Sequence, residues 1–331
     1  MRISLQTLRD VTKQAILHYG YTEVEAATIL EVLLYAQLRG NNQGVVKLIG
    51  NGIPKSPTAS EPTREKETKL SALINAHGTH AMVAINAATD LAIEKAKEHG
   101  MGIVGVNHIT TSSGAIGYYA KKIAESGFIG FVFAGSMESV AAEGSFEALF
   151  GTNPLAVGIP TEHEPLVLDM ATSAMAYYGV VEANTAGRLL PKGIAFDKNG
   201  NETIQPKDVL DGGALRTFDQ GPKGSGLSMI VQALTGPLVN SYFTGIGDVA
   251  NNWGGHLLLA FDPELLGGLE SVRTGVTQMI AKVKGTKKMP GVEEIFVPGE
   301  RGNQQTAEVI ASGEIEIEDN LYAALQKVVS A

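Results

Sequence analysis

The chain has 331 residues, with 26 basic against 35 acidic side chains and a net charge of −9, a balance that disfavours polyanions and gives no support to a nucleic-acid partner. At 44% hydrophobic and 18% charged it can bury a large core, and its length suits two domains or one elaborate α/β unit. No cysteine is present, which excludes disulfides, thiolate nucleophiles and cysteine-ligated zinc or iron–sulfur sites and agrees with a reducing cytosol.

The first ten residues, Met1 to Asp10, lack the apolar core of a signal peptide, and no stretch reaches the roughly 18 apolar residues of a membrane span. The expectation is a soluble, cytoplasmic protein with no membrane partner. Leu5, Leu8, Val11, Ala15 and Ile16 recur near helical spacing, and Thr22 with Glu25 forms a capping box ahead of a helix over Ala26 to Leu38. Asn51 to Lys69 is rich in Pro, Ser, Thr and Glu and reads as a surface connection and a first boundary. Ala81 to His99 reads as a helix stopped by Gly100, and Ile103 to Val106 as a short buried strand.

Gly114 to Ser126 then reads as helix, Phe128 to Phe133, Leu155 to Ile159 and Leu166 to Leu168 as strands, and Ala174 to Thr185 as helix. Gly224 to Leu234 is predicted helical, His256 to Phe261 extended, and Glu264 to Lys284 and about Asp319 to Val329 helical. The alternation predicts an α/β or α+β fold. With both chain ends helical, residues 1–70 plus about 302–331 are expected to form a small helical domain beside a sheet domain over 71–301.

Two glycine patterns imitate a dinucleotide fingerprint. Gly100 to Gly105 fits G-x-G-x-x-G but runs from helix into strand, the reverse of the order that points a helix N-terminus at pyrophosphate. Gly245 to Ala250 fits the alanine variant yet runs into Asn251-Asn252-Trp253-Gly254-Gly255, a loop composition. No Rossmann fold is predicted.

Two other stretches can carry chemistry. Asp169-Met170-Ala171-Thr172-Ser173 follows an apolar run, so it is expected at a strand-to-helix corner, with Thr172 and Ser173 able to cap the helix and offer hydroxyls. Pro222-Lys223-Gly224-Ser225-Gly226 sets a cation and small residues ahead of a helix, where backbone N–H groups and the ammonium could meet a phosphate; a glycine-rich turn with a solvated lysine is the equal alternative. Among the histidines, His108 and His256 read as structural residues at strand ends, and His77 and His80 as surface or capping residues. No metal-ligating set stands out.

The run Gly144 to Ser173, GSFEALFGTNPLAVGIPTEHEPLVLDMATS, together with Pro222 to Met229, PKGSGLSM, resembles the malate/L-lactate dehydrogenase family of NAD- or NADP-dependent oxidoreductases, which is unrelated to the Rossmann-fold lactate dehydrogenases. The resemblance spans roughly Leu5 to the end. It implies a non-Rossmann central mixed β-sheet flanked by helices, a small carboxylate substrate and a homodimer with the cofactor near the subunit interface. It assigns the cofactor to Ser136, to Asp169, Met170, Ala171, Thr172 and Ser173, to Pro222 and Lys223, and to the Gly299, Glu300 and Arg301 turn.

The catalytic positions depart from the family. Where it carries serine-histidine-glycine-valine with an arginine three residues beyond the glycine, this chain has Asn42-Gln43-Gly44-Val45-Val46-Lys47; a second site histidine is replaced by Ser112. Gln43 can orient a carbonyl but cannot exchange a proton. Lys47 keeps the charge of a carboxylate anchor without the planar fork, and a surface lysine is its alternative. Remaining proton-transfer candidates are His108, Tyr118, Tyr119, Lys223 and water held by Ser112 and Gln43. Three functions follow: hydride transfer on a 2-hydroxy or 2-oxo carboxylate, reduction of a cyclic imino acid, whose iminium needs no strong acid, or nucleotide binding without catalysis.

Overall fold

The computed structural model describes residues 1–49, 52–250 and 252–330. Asn51 of the expected connection and Asn251 of the second glycine pattern lie outside them. The centre is a seven-stranded sheet ordered Thr63–Glu67, Ser71–Asn75, Met101–Asn107, His256–Phe261, Ile129–Ala134, Leu155–Ile159 and Leu166–Met170. Ser71–Asn75 and Met101–Asn107 run parallel, and every other neighbouring pair is antiparallel. The parallel pair needs a crossover, and the helix Ala81–His99 supplies it.

That helix shows why the sequence folds this way. His80 caps it by accepting the Met82 N–H through Nδ1 at 3.2 Å, and Gly100 ends it in the left-handed region at φ +80°. Its buried face includes five alanines, Ala81, Ala84, Ala88, Ala92 and Ala96, which lets it sit tightly on the sheet. A Cβ added at Gly102 would lie 2.0 Å from the Ala92 carbonyl. The Gly100 to Gly105 pattern is therefore a helix stop followed by a close-packed strand.

The chain ends close on each other. Arg2–Ser4 pairs antiparallel with Glu314–Glu316, and helix Leu5–His18 packs on helices Glu23–Leu38 and Asp319–Ser330. The Thr22 and Glu25 capping box is present in both directions. One core runs from these helices into the sheet, whereas a second, smaller core around Val140, Val180 and Leu215 fills a four-stranded sheet, Ala195–Phe196, Ala214–Leu215, Val140–Ala141 and Ala148–Phe150. Among the described residues no helix is long and apolar enough to cross a membrane.

Three expectations need correction. The polar connection contains the exposed edge strand Thr63–Glu67, whose alternating charges hide any apolar periodicity and suit an unpaired sheet edge. The helix after Asp169 starts at Tyr177 and not at Ala174, because Ser173 bridges Thr217 and the Ala174 N–H donates to the Arg216 carbonyl. The helix expected from Glu264 starts at Leu269, after a 3-10 turn over Pro263–Leu265 capped by Asp262.

Candidate active site

A cavity of about 680 Å³ opens where seven segments of the chain meet, within the size range of small-molecule sites. Its wall takes Arg39 to Gln43 from the end of helix Glu23–Leu38, and Thr111 to Ile116 from the loop after strand Met101–Asn107. Gly135 to Ser139 follow strand Ile129–Ala134, and Asp169 to Ala171 end strand Leu166–Met170. Thr152 and Pro154, Ala176 to Tyr178, and the Trp253-Gly254 loop with His256 complete it.

Gln43 lies in the wall, its backbone N–H held by Asn41 Oδ1 at 2.9 Å and its Nε2 3.4 Å from Asn42 Oδ1. Ser112 lies opposite in sequence but in the same cavity. Its Oγ accepts from Lys47 Nζ at 2.8 Å and from the Gly114 N–H at 3.3 Å. Lys47 is not the surface lysine of the alternative reading: it is 2% exposed, with Nζ 3.4 Å from the Tyr178 ring centroid. Nor does it reach the wall to grip a carboxylate, because the short turn Val45–Leu48 tucks it behind Ser112.

On the cofactor side, Ser136, Asp169, Met170 and Ala171 line the cavity. Ser136 Oγ accepts the Thr152 N–H at 3.0 Å. Thr172 and Ser173 turn away from it. Thr172 donates to the Thr152 carbonyl and Ser173 to the Met175 carbonyl, so neither caps helix Tyr177–Thr185, whose N-cap is Ala176.

Pro222 and Lys223 begin helix Pro222–Thr235, but its N-terminus is already served: Asp219 Oδ1 accepts the N–H groups of Gly221 and Gly224 at 3.1 and 2.9 Å. That internal carboxylate takes the donors a phosphate would use, and Lys223 points to solvent. Gly299 is left-handed at φ +82° and gives its carbonyl to Arg39 Nη2 at 3.3 Å. Glu300 pairs with Lys284, and Arg301 lies over the Phe296 ring. The structure thus gathers Gln43, Ser112, Ser136, Asp169, Met170 and Ala171 in one wall with Lys47 behind it. It leaves Thr172, Ser173, Pro222, Lys223, Gly299, Glu300 and Arg301 off that wall.

Several wall residues escaped sequence reasoning. Arg39 brings a cation to the cavity, 4.5 Å over the Tyr35 ring, and among the described residues only its Nη2 is engaged, by Gly299 and Asn303. Arg39 is the C-cap of helix Glu23–Leu38 ahead of Gly40, a place where a cation is ordinary and carries no sign of a site. Asp169 accepts the Gly117 N–H at 2.8 Å, at the start of helix Gly117–Glu125. It is exposed to the cleft, yet desolvation by the surrounding protein pushes its pKa up to about 6 against the pull of Gly117 and Arg39. His256 is buried in the wall with neither ring nitrogen bonded, and burial holds it neutral with a pKa of about 3. His108 bonds Asn107 and stays off the wall.

A mostly antiparallel mixed sheet with a polar and apolar cleft at its loop ends defines a class of α/β enzymes distinct from the doubly wound dehydrogenases. The family model for malate/L-lactate dehydrogenase matches residues 3–326, and the chain belongs to that family. It is 32% identical to ureidoglycolate dehydrogenase (NAD(+)) of Escherichia coli over 98% of this chain and 95% of that one. It is 31% identical to a malate/(S)-sulfolactate dehydrogenase of Methanothermus fervidus, covering 99% and 97% of the two chains. A Delta(1)-pyrroline-2-carboxylate/Delta(1)-piperideine-2-carboxylate reductase of Pseudomonas putida is 31% identical over 80% of each. Among solved structures, the delta1-piperideine-2-carboxylate reductase of Pseudomonas syringae superimposes with a TM-score of 0.82 at 29% identity, covering 99% of both chains. Malate dehydrogenase of Entamoeba histolytica has the same fold, with a TM-score of 0.90 at 24% identity, covering 100% of this chain and 97% of that one.

Proposed function

We propose that this protein is an NAD(P)H-dependent oxidoreductase that moves a hydride between nicotinamide and C2 of a small 2-hydroxy or 2-oxo carboxylate. One observation carries the reading: the Ser136 and Asp169 to Ala171 loops share a single cavity with Gln43 and Ser112. The cleft fits such a cofactor, since its hydroxyls and apolar side chains suit the flat nicotinamide ring. When bound, the cofactor supplies or accepts the hydride. Gln43 and Ser112 hydrogen-bond the reacting atom, and Arg39, with guanidinium N–H groups to spare, holds the carboxylate in place of Lys47. Lys223 and Arg301 lie off the wall, and this reading gives their cationic side chains the remote nucleotide phosphates, with the helix N-terminus left to Asp219. Ser173 and Arg39 tie those loops to the cleft.

Reduction of a cyclic imino acid is the second reading, favoured by a wall in which Gln43 replaces an acid. A cofactor-binding relative without turnover is the third. Binding of NADH and NADPH followed by fluorescence, with turnover across 2-oxo acids, 2-hydroxy acids and cyclic imines, separates the three. Absence of binding to either cofactor would sink all of them. The reading also makes the protein a cytoplasmic homodimer, its chain ends one helical unit beside the sheet; the amphipathic helix Leu269–Lys284, with no buried residue, is a surface for a second copy.

A further inference from the structure

We propose that Lys47 and Ser112 form a buried proton relay that does the work of the family's missing histidines, and that the enzyme therefore acts on an oxygen substrate, a 2-oxo or 2-hydroxy acid. This rests on the hydride-transfer reading above. Five observations lead here. Lys47 Nζ is 2.8 Å from Ser112 Oγ, and Ser112 lies in the cavity wall while Lys47 does not. Lys47 is 2% exposed, and among the described residues it pairs with no carboxylate. Instead its ammonium faces the Tyr178 ring, a contact that stabilises a cation without accepting its proton.

A lysine placed only for charge has no reason to be cut off from the cavity by a hydroxyl. A lysine placed to exchange protons needs that hydroxyl, and serine is both donor and acceptor. Burial alone pushes Lys47 well below the ordinary lysine range, towards the region where an amine can give and take a proton near neutrality. The turn Val45–Leu48 packs on helices Leu5–His18, Glu23–Leu38 and Asp319–Ser330. The titratable groups facing Lys47 are Tyr178 and His80; His80 is neutral at pH 7, its pKa lowered to about 3 by burial and by the Lys47 charge.

In the reducing direction, C2 accepts a hydride and its electron pair from the reduced nicotinamide, and the carbonyl π pair moves onto oxygen. That oxygen takes the Ser112 hydroxyl proton. Ser112 takes a proton from the Lys47 ammonium, leaving a neutral amine and oxidised cofactor. After product leaves, water in the cavity returns the proton through Ser112. Oxidation runs the same path backwards. An iminium carbon needs no such proton, so a built relay argues for oxygen chemistry.

The test combines variants with a titration that needs no turnover. The ε-carbon of Lys47 is followed by NMR in lysine-labelled wild-type protein without cofactor, with K47R assigning the signal. S112A, S112T, K47M and K47R are assayed for NADH binding and for reduction of pyruvate, oxaloacetate and Δ1-piperideine-2-carboxylate. We expect Lys47 to titrate clearly below the ordinary value of about 10.4, and NADH affinity to stay within about twofold. Oxo-acid kcat should fall about 10²-fold or more in S112A, K47M and K47R, and be kept in S112T. Arginine keeps the charge but cannot release a proton, so an active K47R overturns the relay, as does an active S112A, an ordinary Lys47 titration or turnover of the imine alone. Wild-type protein that binds neither cofactor overturns the oxidoreductase reading itself, a failure separate from all of these.

Discussion

At Asp169 two demands meet in one carboxyl. It must accept the Gly117 N–H to start helix Gly117–Glu125, and it must sit inside the cleft, where desolvation lifts its pKa from 3.8 to about 6. The folded carboxyl thus holds its proton more tightly than the unfolded one. Its contribution to stability is complete below pH 3.8 and is lost as pH rises to about 6. Asp169→Asn keeps an oxygen acceptor for Gly117 and removes the charge. Its melting temperature should therefore rise relative to wild type between pH 4 and 7, and a difference that does not change with pH would refute the assignment. Asp169 was legible in the sequence because apolar residues lead up to it. Arg39 and the burial of Lys47 were not, since a lysine after Gly-Val-Val carries no local sign that three helices will close around it.

Among the elements, helix Pro222–Thr235 is aimed by a single turn. Asn153, left-handed at φ +37° between Thr152 and Pro154, donates Nδ2 to the Ser228 carbonyl at 3.1 Å and to Gln232 Oε1 at 2.7 Å. Thr152 and Pro154 on either side line the cavity, so one residue couples wall and helix. Asn153→Ala removes buried bonds and leaves alanine in a left-handed conformation that asparagine tolerates better, together about 2–4 kcal/mol. Asn153→Gly should recover the backbone part but not the bonds, and denaturant midpoints at unchanged slope would show the difference. Equal midpoints for the two variants would mean that conformation, and not the clamp, is what Asn153 provides. Elements with strong local signals, such as Ala81–His99 with its glycine stop, could be read from sequence to the residue. Those set by distant partners could not: the start of helix Tyr177–Thr185 depends on Thr217, and the edge strand Thr63–Glu67 on its neighbour Ser71–Asn75.

For the whole molecule, helix Leu269–Lys284 is the piece a single chain does not account for. None of its residues is buried, yet Val272, Val276, Met279, Ile280 and Val283 fall near one helical stripe. Among the described residues its polar ties to the loop between strands Leu155–Ile159 and Leu166–Met170 are two bonds at Glu162, whose N–H donates to Thr277 Oγ1 and whose Oε1 accepts from Thr274. A helix of this length is marginal in water without an apolar face covered. The proposed dimer would cover the stripe with a second copy. It also links oligomer to site, because Lys284 at its end pairs with Glu294 and Glu300, and Glu300 adjoins the Gly299 carbonyl that holds Arg39. Wild-type protein should therefore run as a dimer at micromolar concentration in light scattering. The double variant Met279→Lys, Val283→Glu should run as a monomer with a lower melting temperature and NADH affinity weakened several-fold. A wild-type monomer would leave the stripe unexplained by self-association. A monomeric variant with undiminished NADH affinity would show that the cleft is complete within one chain, so that Glu300 and Arg39 keep their places without help from the helix.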